Sequence, residues 1–207
     1  MLKTKLERKI VVFDLDSALL QEDFLDVCAR NFNFSQALSL LRQIDQEHLS
    51  ILARAASFMR GRKVEELMTL TEEISLVDDV VDIVDELKSK SCIVGTISNG
   101  YQVVADKIGD KINADFILAN GLNTENDVIT GGFSISHCFL QSKSSTCRHR
   151  VCKTNALHYL CNCYDIPLAN CIVIGDIESD ACLIKHAGHA VSIGASDNLL
   201  NHVLMAF

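Results

Sequence analysis

Asp14 and Asp16 stand one residue apart at the end of the apolar run Ile10-Val11-Val12-Phe13. Two carboxylates this close repel unless a cation or a shared proton compensates. The pair therefore points to a divalent metal, to acid/base work, or to both. A plainer alternative has Asp14 as a capping residue and Asp16 in a solvated turn. Further along, Ser98 follows the apolar run 92–97, Lys153 opens a helical pattern, and Asp176 and Asp180 follow the apolar run 171–175. These groups together suit phosphoryl transfer. A carboxylate can attack phosphorus and form an aspartyl-phosphate. A second acid can protonate the leaving alkoxide and later deprotonate water. Mg²⁺ takes carboxylates and a substrate oxygen, while a hydroxyl and an ammonium can hold the other phosphoryl oxygens.

Such groups must be positioned by the elements that precede them. Residues 10–13 are apolar throughout and bounded by charge, which predicts a strand buried on both faces, as in a parallel sheet. Further strands are predicted over 92–97, 115–119, 171–175 and 190–193, with a hairpin turn at 123–127. Helices are predicted over 77–90, 102–109 and 153–164. Residues 17–75 carry apolar residues at helical spacing, with Asn33 and Ser35 separating two helices and Gly61 as a break. Alternating strands and helices predict an α/β fold, a doubly wound parallel sheet (a Rossmann-like core) with a helical cap inserted after the first strand. Residues 1–16 and 76–207 are expected to form the core and 17–75 the cap. The carboxyl ends of the strands then converge on one crevice. Ser98-Asn99-Gly100-Tyr101 is expected there as a polar turn.

The order and spacing of these groups resemble the haloacid dehalogenase superfamily of phosphatases. Its first motif is similar to Asp14-Leu15-Asp16-Ser17-Ala18, its second to Ser98, its third to Lys153, and its fourth to Gly175-Asp176-Ile177-Glu178-Ser179-Asp180. The helical cap, the Ser-x-Gly-aromatic stretch and Ala119-Asn120-Gly121-Leu122 with Thr130-Gly131 resemble the phosphoserine phosphatase branch. The resemblance implies a Mg²⁺-dependent phosphomonoesterase acting on a small phosphorylated metabolite, phosphoserine first among them. It implies Asp14 as nucleophile and Asp16 as general acid/base. Ser98, Asn99, Gly100 and Lys153 would bind the phosphoryl group, and Asp14, Asp16, Asp176 and Asp180 would surround the metal. In the cap it implies that Asp23, or less favourably Glu22, binds a substrate amine and that Arg54 grips a substrate carboxylate. Ala18, Asn99, Ile177 and Ser179 depart from the family pattern, and Glu47 falls where the cap pocket carries an aromatic residue. None of these removes a catalytic group, though they leave room for another small phosphorylated amine or alcohol, or for a degenerate, non-catalytic member.

Composition sets the wider bounds. The chain has 207 residues, 48 % hydrophobic, with one proline, which suits a sizeable core without a Pro-rich linker between domains. A net charge of -8 argues against nucleic acid as a partner. No apolar run is long enough for a membrane span, and the charged stretch 1–9 lacks an apolar signal core. A cytoplasmic monomer or homodimer is expected, with its nine cysteines as reduced thiols. Cys147, His149, Cys152, His158, Cys161 and Cys163 do not repeat a CxxC pair, and much of that segment reads as helix, so structural thiols are expected rather than zinc ligands; Cys92, Cys171 and Cys182 sit in apolar patterns as small hydrophobes. His137, His186 and His189 fall near element ends and read as surface or capping residues. A phospho-accepting receiver module also places an Asp at a strand end, but the helical insertion after the first strand and the acid at position 16 argue against it.

Overall fold

The computed structural model describes residues 8–192 other than 46 and 144. Strand β1 (Ile10–Phe13) is fully buried and lies at the centre of a six-stranded sheet. Its neighbours are β2 (Ile93–Tyr101) on one side and β5 (Cys171–Gly175) on the other, both parallel to it. Beyond β2 lie β3 (Phe116–Glu125) and β4 (Val128–Ser134); beyond β5 lies β6 (His189–Ser192). The order is β4-β3-β2-β1-β5-β6, parallel throughout except for the β3/β4 hairpin. The chain leaves β1 toward β2 and later crosses back to β5. The switch point of the sheet therefore falls at the carboxyl end of β1, where a crevice opens.

Helix α1 (Leu15–Ala18) follows β1 directly. Helices α2 (Phe24–Asn31), α3 (Ser35–Ile44), α4 (His48–Phe58) and α5 (Val64–Glu73) fill the predicted insertion. Asn33 ends α2 in a left-handed conformation, φ +62°, which asparagine tolerates better than most residues, and Ser35 is the first helical residue of α3 rather than its cap. Gly61 breaks the helical run with φ +85°. Helix α6 (Val80–Ser89) leads into β2, α7 (Gln102–Lys111) follows it, and α8 (Lys153–Tyr164) and α9 (Ile177–His186) flank β5.

Helices cover both faces of the sheet. One apolar cluster joins Val11 and Phe13 to α6, α7 and the insertion; the other joins Val12 and Val173 to Leu157, Leu160 and Leu183. Each such side chain contributes about 1.5–3 kcal/mol on burial, so β1 is held from both sides. The insertion is also tied by polar contacts. The Tyr101 hydroxyl donates to the Leu52 carbonyl at 2.7 Å, and the Gly61 and Ile129 amides fasten the end of α4 to β4.

Two expectations need adjusting. Ser98-Asn99-Gly100-Tyr101 is not a free turn, because β2 continues to Tyr101, with a register irregularity between Ile97 and Tyr101. The hairpin turn is confined to Asn126 and Asp127, both at positive φ (48° and 61°), which matches the twist of the strands they join. The expected strand 190–193 begins at His189, and residue 193 lies outside the described residues.

Candidate active site

Asp14 follows the last residue of β1 and caps α1: the Ser17 amide and hydroxyl donate to its Oδ2 at 2.9 and 2.6 Å. Its other oxygen, Oδ1, accepts from the Lys153 ammonium. One side chain thus both caps a helix and pairs with a buried ammonium. Lys153 is the first residue of α8 and only 6 % exposed. A buried ammonium at a helix N-terminus opposes the helix dipole, so its position costs stability that its partners must offset. Asp14 supplies one partner and Asp180, with Oδ1 at 2.9 Å, the other.

These neighbours set the charge states. Burial alone would raise the Asp14 carboxyl, but the Lys153 ammonium and the Ser17 donors hold it below its ordinary value. Burial would lower Lys153, and Asp14 and Asp180 more than reverse that, holding it above the ordinary lysine range. Asp16 faces the opposite situation. Burial, Asp23 and Asp14 push its carboxyl up to about 7, against the pull of the Phe24 amide, which donates to its Oδ1 at 3.2 Å. The environments push the two carboxyls in opposite directions, one toward the ionised and one toward the protonated form, an arrangement that can support general acid catalysis.

Asp176 lies at the end of β5 and caps α9 through the Ser179 amide at 3.0 Å. Asp180, one turn on, is 1 % exposed and pushed up to about 6, chiefly by burial and against the pull of Lys153. Among the described residues neither of its buried oxygens has a well-formed hydrogen bond. Gly175 makes room for this arrangement: a Cβ there would lie 2.3 Å from Asp180 Oδ2 and 3.3 Å from Asp14 Cβ. One ammonium among Asp14, Asp16, Asp176 and Asp180 leaves excess negative charge, and among the described residues Asp180 Oδ2 has no partner. That donor set fits a hard divalent cation such as Mg²⁺.

Ser98 is buried, and its Oγ accepts from the Gly100 amide at 2.9 Å, so that amide is turned toward Ser98. Asn99 lines the cleft, with its carbonyl held by Asn120 Nδ2. The cleft measures about 210 Å³ and is lined by Asp14, Asp16, Ser17, Asp23, His48, Asn99, Lys153 and Ser179. Pockets for drug-sized ligands run to roughly 300–1,000 Å³, so this one suits a small molecule.

A family model described as haloacid dehalogenase-like hydrolase matches residues 11–185. The chain belongs to that family. The phosphoserine phosphatase of Methanocaldococcus jannaschii is 22 % identical over 197 residues, covering 91 % of this chain and 87 % of the relative. That of Archaeoglobus fulgidus is also 22 % identical over 197 residues, covering 93 % of this chain but 54 % of the relative, so this chain spans about half the length of that protein. A solved phospho-aspartyl intermediate analogue of phosphoserine phosphatase has a TM-score of 0.74 at 20 % identity, over 90 % of this chain and 86 % of that one. At that identity the likeness speaks for the fold. Among the described residues no helix is long and apolar enough to cross a membrane.

The cap side of this hydrolase cleft differs from expectation. Asp23 reaches the lining and caps α2, while Arg42 pairs with it at 3.1 Å. Glu22 pairs with Arg30 on the surface. Arg54 sits on an exposed part of α4, outside the lining, where its charge acts on Asp45. The first turn of α4, not its middle, faces the cleft, which leaves Arg54 outside the lining. His48 occupies that first turn with its side chain still exposed, and partial desolvation by the cleft and the Lys153 charge hold its imidazole below the usual value. Sequence reasoning missed His48 and the role of Ser17. The Asp-x-x-Ser capping spacing could have revealed Ser17; nothing local marks His48.

The Asp16 environment yields a stability prediction. Its folded-state value is raised above 3.8, so the folded protein holds this proton better than the unfolded chain. The penalty is absent below the ordinary value, grows between 3.8 and about 7, and is complete above that. Asp16→Asn keeps an acceptor for the Phe24 amide and removes the charge. In the absence of divalent cations it should stabilise the protein by roughly 2 kcal/mol at about pH 8, discounted for solvent screening, and by little at about pH 4. Urea unfolding at the two pH values checks this; equal effects at both would show that the Asp16 charge is not penalised by the fold.

Proposed function

We propose that this phosphatase hydrolyses a small phosphomonoester through an aspartyl-phosphate on Asp14, with L-phosphoserine the first candidate. The observation that carries the reading is the Asp14 carboxylate bonded by both Lys153 and Ser17, with Asp16, its carboxyl pushed up to about 7, in the same cleft. Asp14 attacks phosphorus while Asp16 protonates the departing alkoxide. Asp16, now ionised, then removes a proton from the water that cleaves the acyl phosphate. Lys153, the Ser98 hydroxyl and the Asn99–Gly100 backbone would hold phosphoryl oxygens. Asp14, Asp16, Asp176 and Asp180 are the residues that would hold Mg²⁺, which when bound would neutralise phosphoryl charge. Residues 17–75 would act as the cap, residues 1–16 and 76–207 as the core, with Asp23 receiving a substrate amine.

A second reading has one specific observation behind it. No arginine lines the described cleft, which favours a phosphorylated amine or alcohol lacking a carboxylate. Phosphate release with Mg²⁺ from a panel of phosphomonoesters separates the readings. Turnover of L-phosphoserine well above phosphoethanolamine supports the first, and the reverse supports the second. Failure on every phosphomonoester would overturn both and leave a non-catalytic binding protein. In either active case Asp23→Asn should raise KM for the amine substrate about 10-fold or more and leave an aryl phosphate nearly unchanged, since a charge-assisted hydrogen bond to the amine is worth ~1.5–3 kcal/mol.

A further inference from the structure

Beside the carboxylate cleft lies a second cluster of different chemistry. Cys147, His149, Cys152 and Cys182 each offer a ligand atom, and these atoms all lie within 4.8 Å of one another. We propose that they form a tetrahedral Zn²⁺ site of three thiolates and one imidazole, separate from the carboxylate site.

The geometry is nearly assembled. Zn–S bonds of about 2.3 Å place the sulfurs of a tetrahedral site roughly 3.8 Å apart, so small side-chain rotations suffice. Cys147 and His149 lie on a loop closed at its base by the Leu140–Val151 bridge and by the Gln141 and Cys152 amides, which donate to the carbonyls of Arg150 and Phe139. Cys152 immediately precedes α8 and Cys182 lies in α9. All four cysteine and histidine side chains are unbridged, and the three thiols are free. Surrounding groups orient the ligands. The Thr154 hydroxyl donates to Cys182 Sγ at 3.2 Å, and Asn155 Nδ2 donates to the His149 and Phe139 carbonyls at 3.3 and 2.9 Å. Such outer partners hold ligands in register. Cys147 is buried and His149 exposed, which gives the site both a dry side and an entry path.

Ligand softness sorts the ions. Three sulfurs and a nitrogen select Zn²⁺ over Mg²⁺, while oxygen-only carboxylates do the reverse. Binding would release thiol protons to solvent, and the cation would then hold the resulting thiolates together. The consequence for the cleft is mechanical. Cys152 immediately precedes Lys153 and Cys182 lies two residues after Asp180, so the ion would brace α8 against α9 where they present their charged pair. Of the sequence candidates, His158 instead bonds Thr146, and Cys161 lies beside Cys171.

The test uses the full chain, purified with reductant, stripped by chelator and titrated with Co²⁺ in excess Mg²⁺. One equivalent should bind, with thiolate-to-metal charge transfer and the strong visible bands of tetrahedral Co²⁺, and Zn²⁺ should displace it. His149→Ala, at an exposed position that folding tolerates, and Cys182→Ser should each weaken binding about 100-fold or more, whereas Cys163→Ser should not. Amide exchange over residues 147–153 should slow on Zn²⁺ loading. Absence of these bands, binding indifferent to both variants, or isolation of the protein with two of these cysteines oxidised to a disulfide would overturn the proposal. None of these readouts depends on phosphatase turnover.

Discussion

Asp14→Asn is expected to reduce phosphate release with Mg²⁺ by roughly 10⁴-fold or more on every phosphomonoester the native protein cleaves. The amide cannot donate an electron pair to phosphorus as a carboxylate does, and no neighbouring group is placed to substitute. Asp16 holds its proton to about 7 and so is the weaker nucleophile at neutral pH. Asp180 is tied up with Lys153 behind Asp14. The amide oxygen can still accept from Ser17, so α1 keeps its cap, and Asp180 still pairs with Lys153; the variant loses one charge partner of the lysine and some stability with it, so kcat is compared on folded protein. Two measurements check this: phosphate release, and acid-quench trapping of labelled enzyme during turnover. Native protein should retain acid-stable phosphate and the variant none. A variant retaining more than a few per cent of native kcat would remove Asp14 from the nucleophile's role.

Much of this site was legible in the sequence because it lies where strong local signals end. The runs 10–13 and 171–175 are unbroken apolar segments, and burial at 0 % for each residue from Ile10 to Phe13 follows from that pattern. The helix opening at Lys153 begins where its periodicity begins. What was illegible depends on tertiary geometry. β2 runs on through Ser98 and Asn99 because β3 pairs with it again at Asn120, and no side-chain alternation announces that pairing. His48 enters the cleft only because α4 starts at that residue and aims its first turn inward; the same start carries Arg54 out of the lining. Cys182 reads as one more apolar residue of a helix until α9 packs against α8 and brings it to Cys152. Linear spacing cannot supply a ligand that arrives from another element.

Lys153→Met is expected to cost about 3–5 kcal/mol of stability as well as most of the activity. In the native protein Lys153 lies above its ordinary value of 10.5 and Asp14 below its ordinary 3.8. The lysine's contribution is complete below 10.5 and is lost as pH rises through its folded value. The Asp14 contribution is complete above 3.8 and is lost as pH falls through its folded value. The pair is therefore at full strength across the neutral range. Removing the ammonium leaves Asp14 and Asp180 buried and facing each other without a counter-charge. Both carboxyls must then rise, and the sign of the linkage reverses: the variant gains stability as pH falls toward the ordinary carboxylate range, where the proton neutralises what the ammonium did. At about pH 8 its melting temperature should lie roughly 10 °C below native, and at about pH 5 the gap should narrow by half or more. Mg²⁺ should also recover part of the loss in the variant, since a cation among these carboxylates relieves the same repulsion. Thermal unfolding at both pH values, with and without Mg²⁺, checks each point. A deficit independent of pH would mean that Lys153 contributes packing rather than charge, and the ionised Asp14 on which the proposed chemistry rests would need another source.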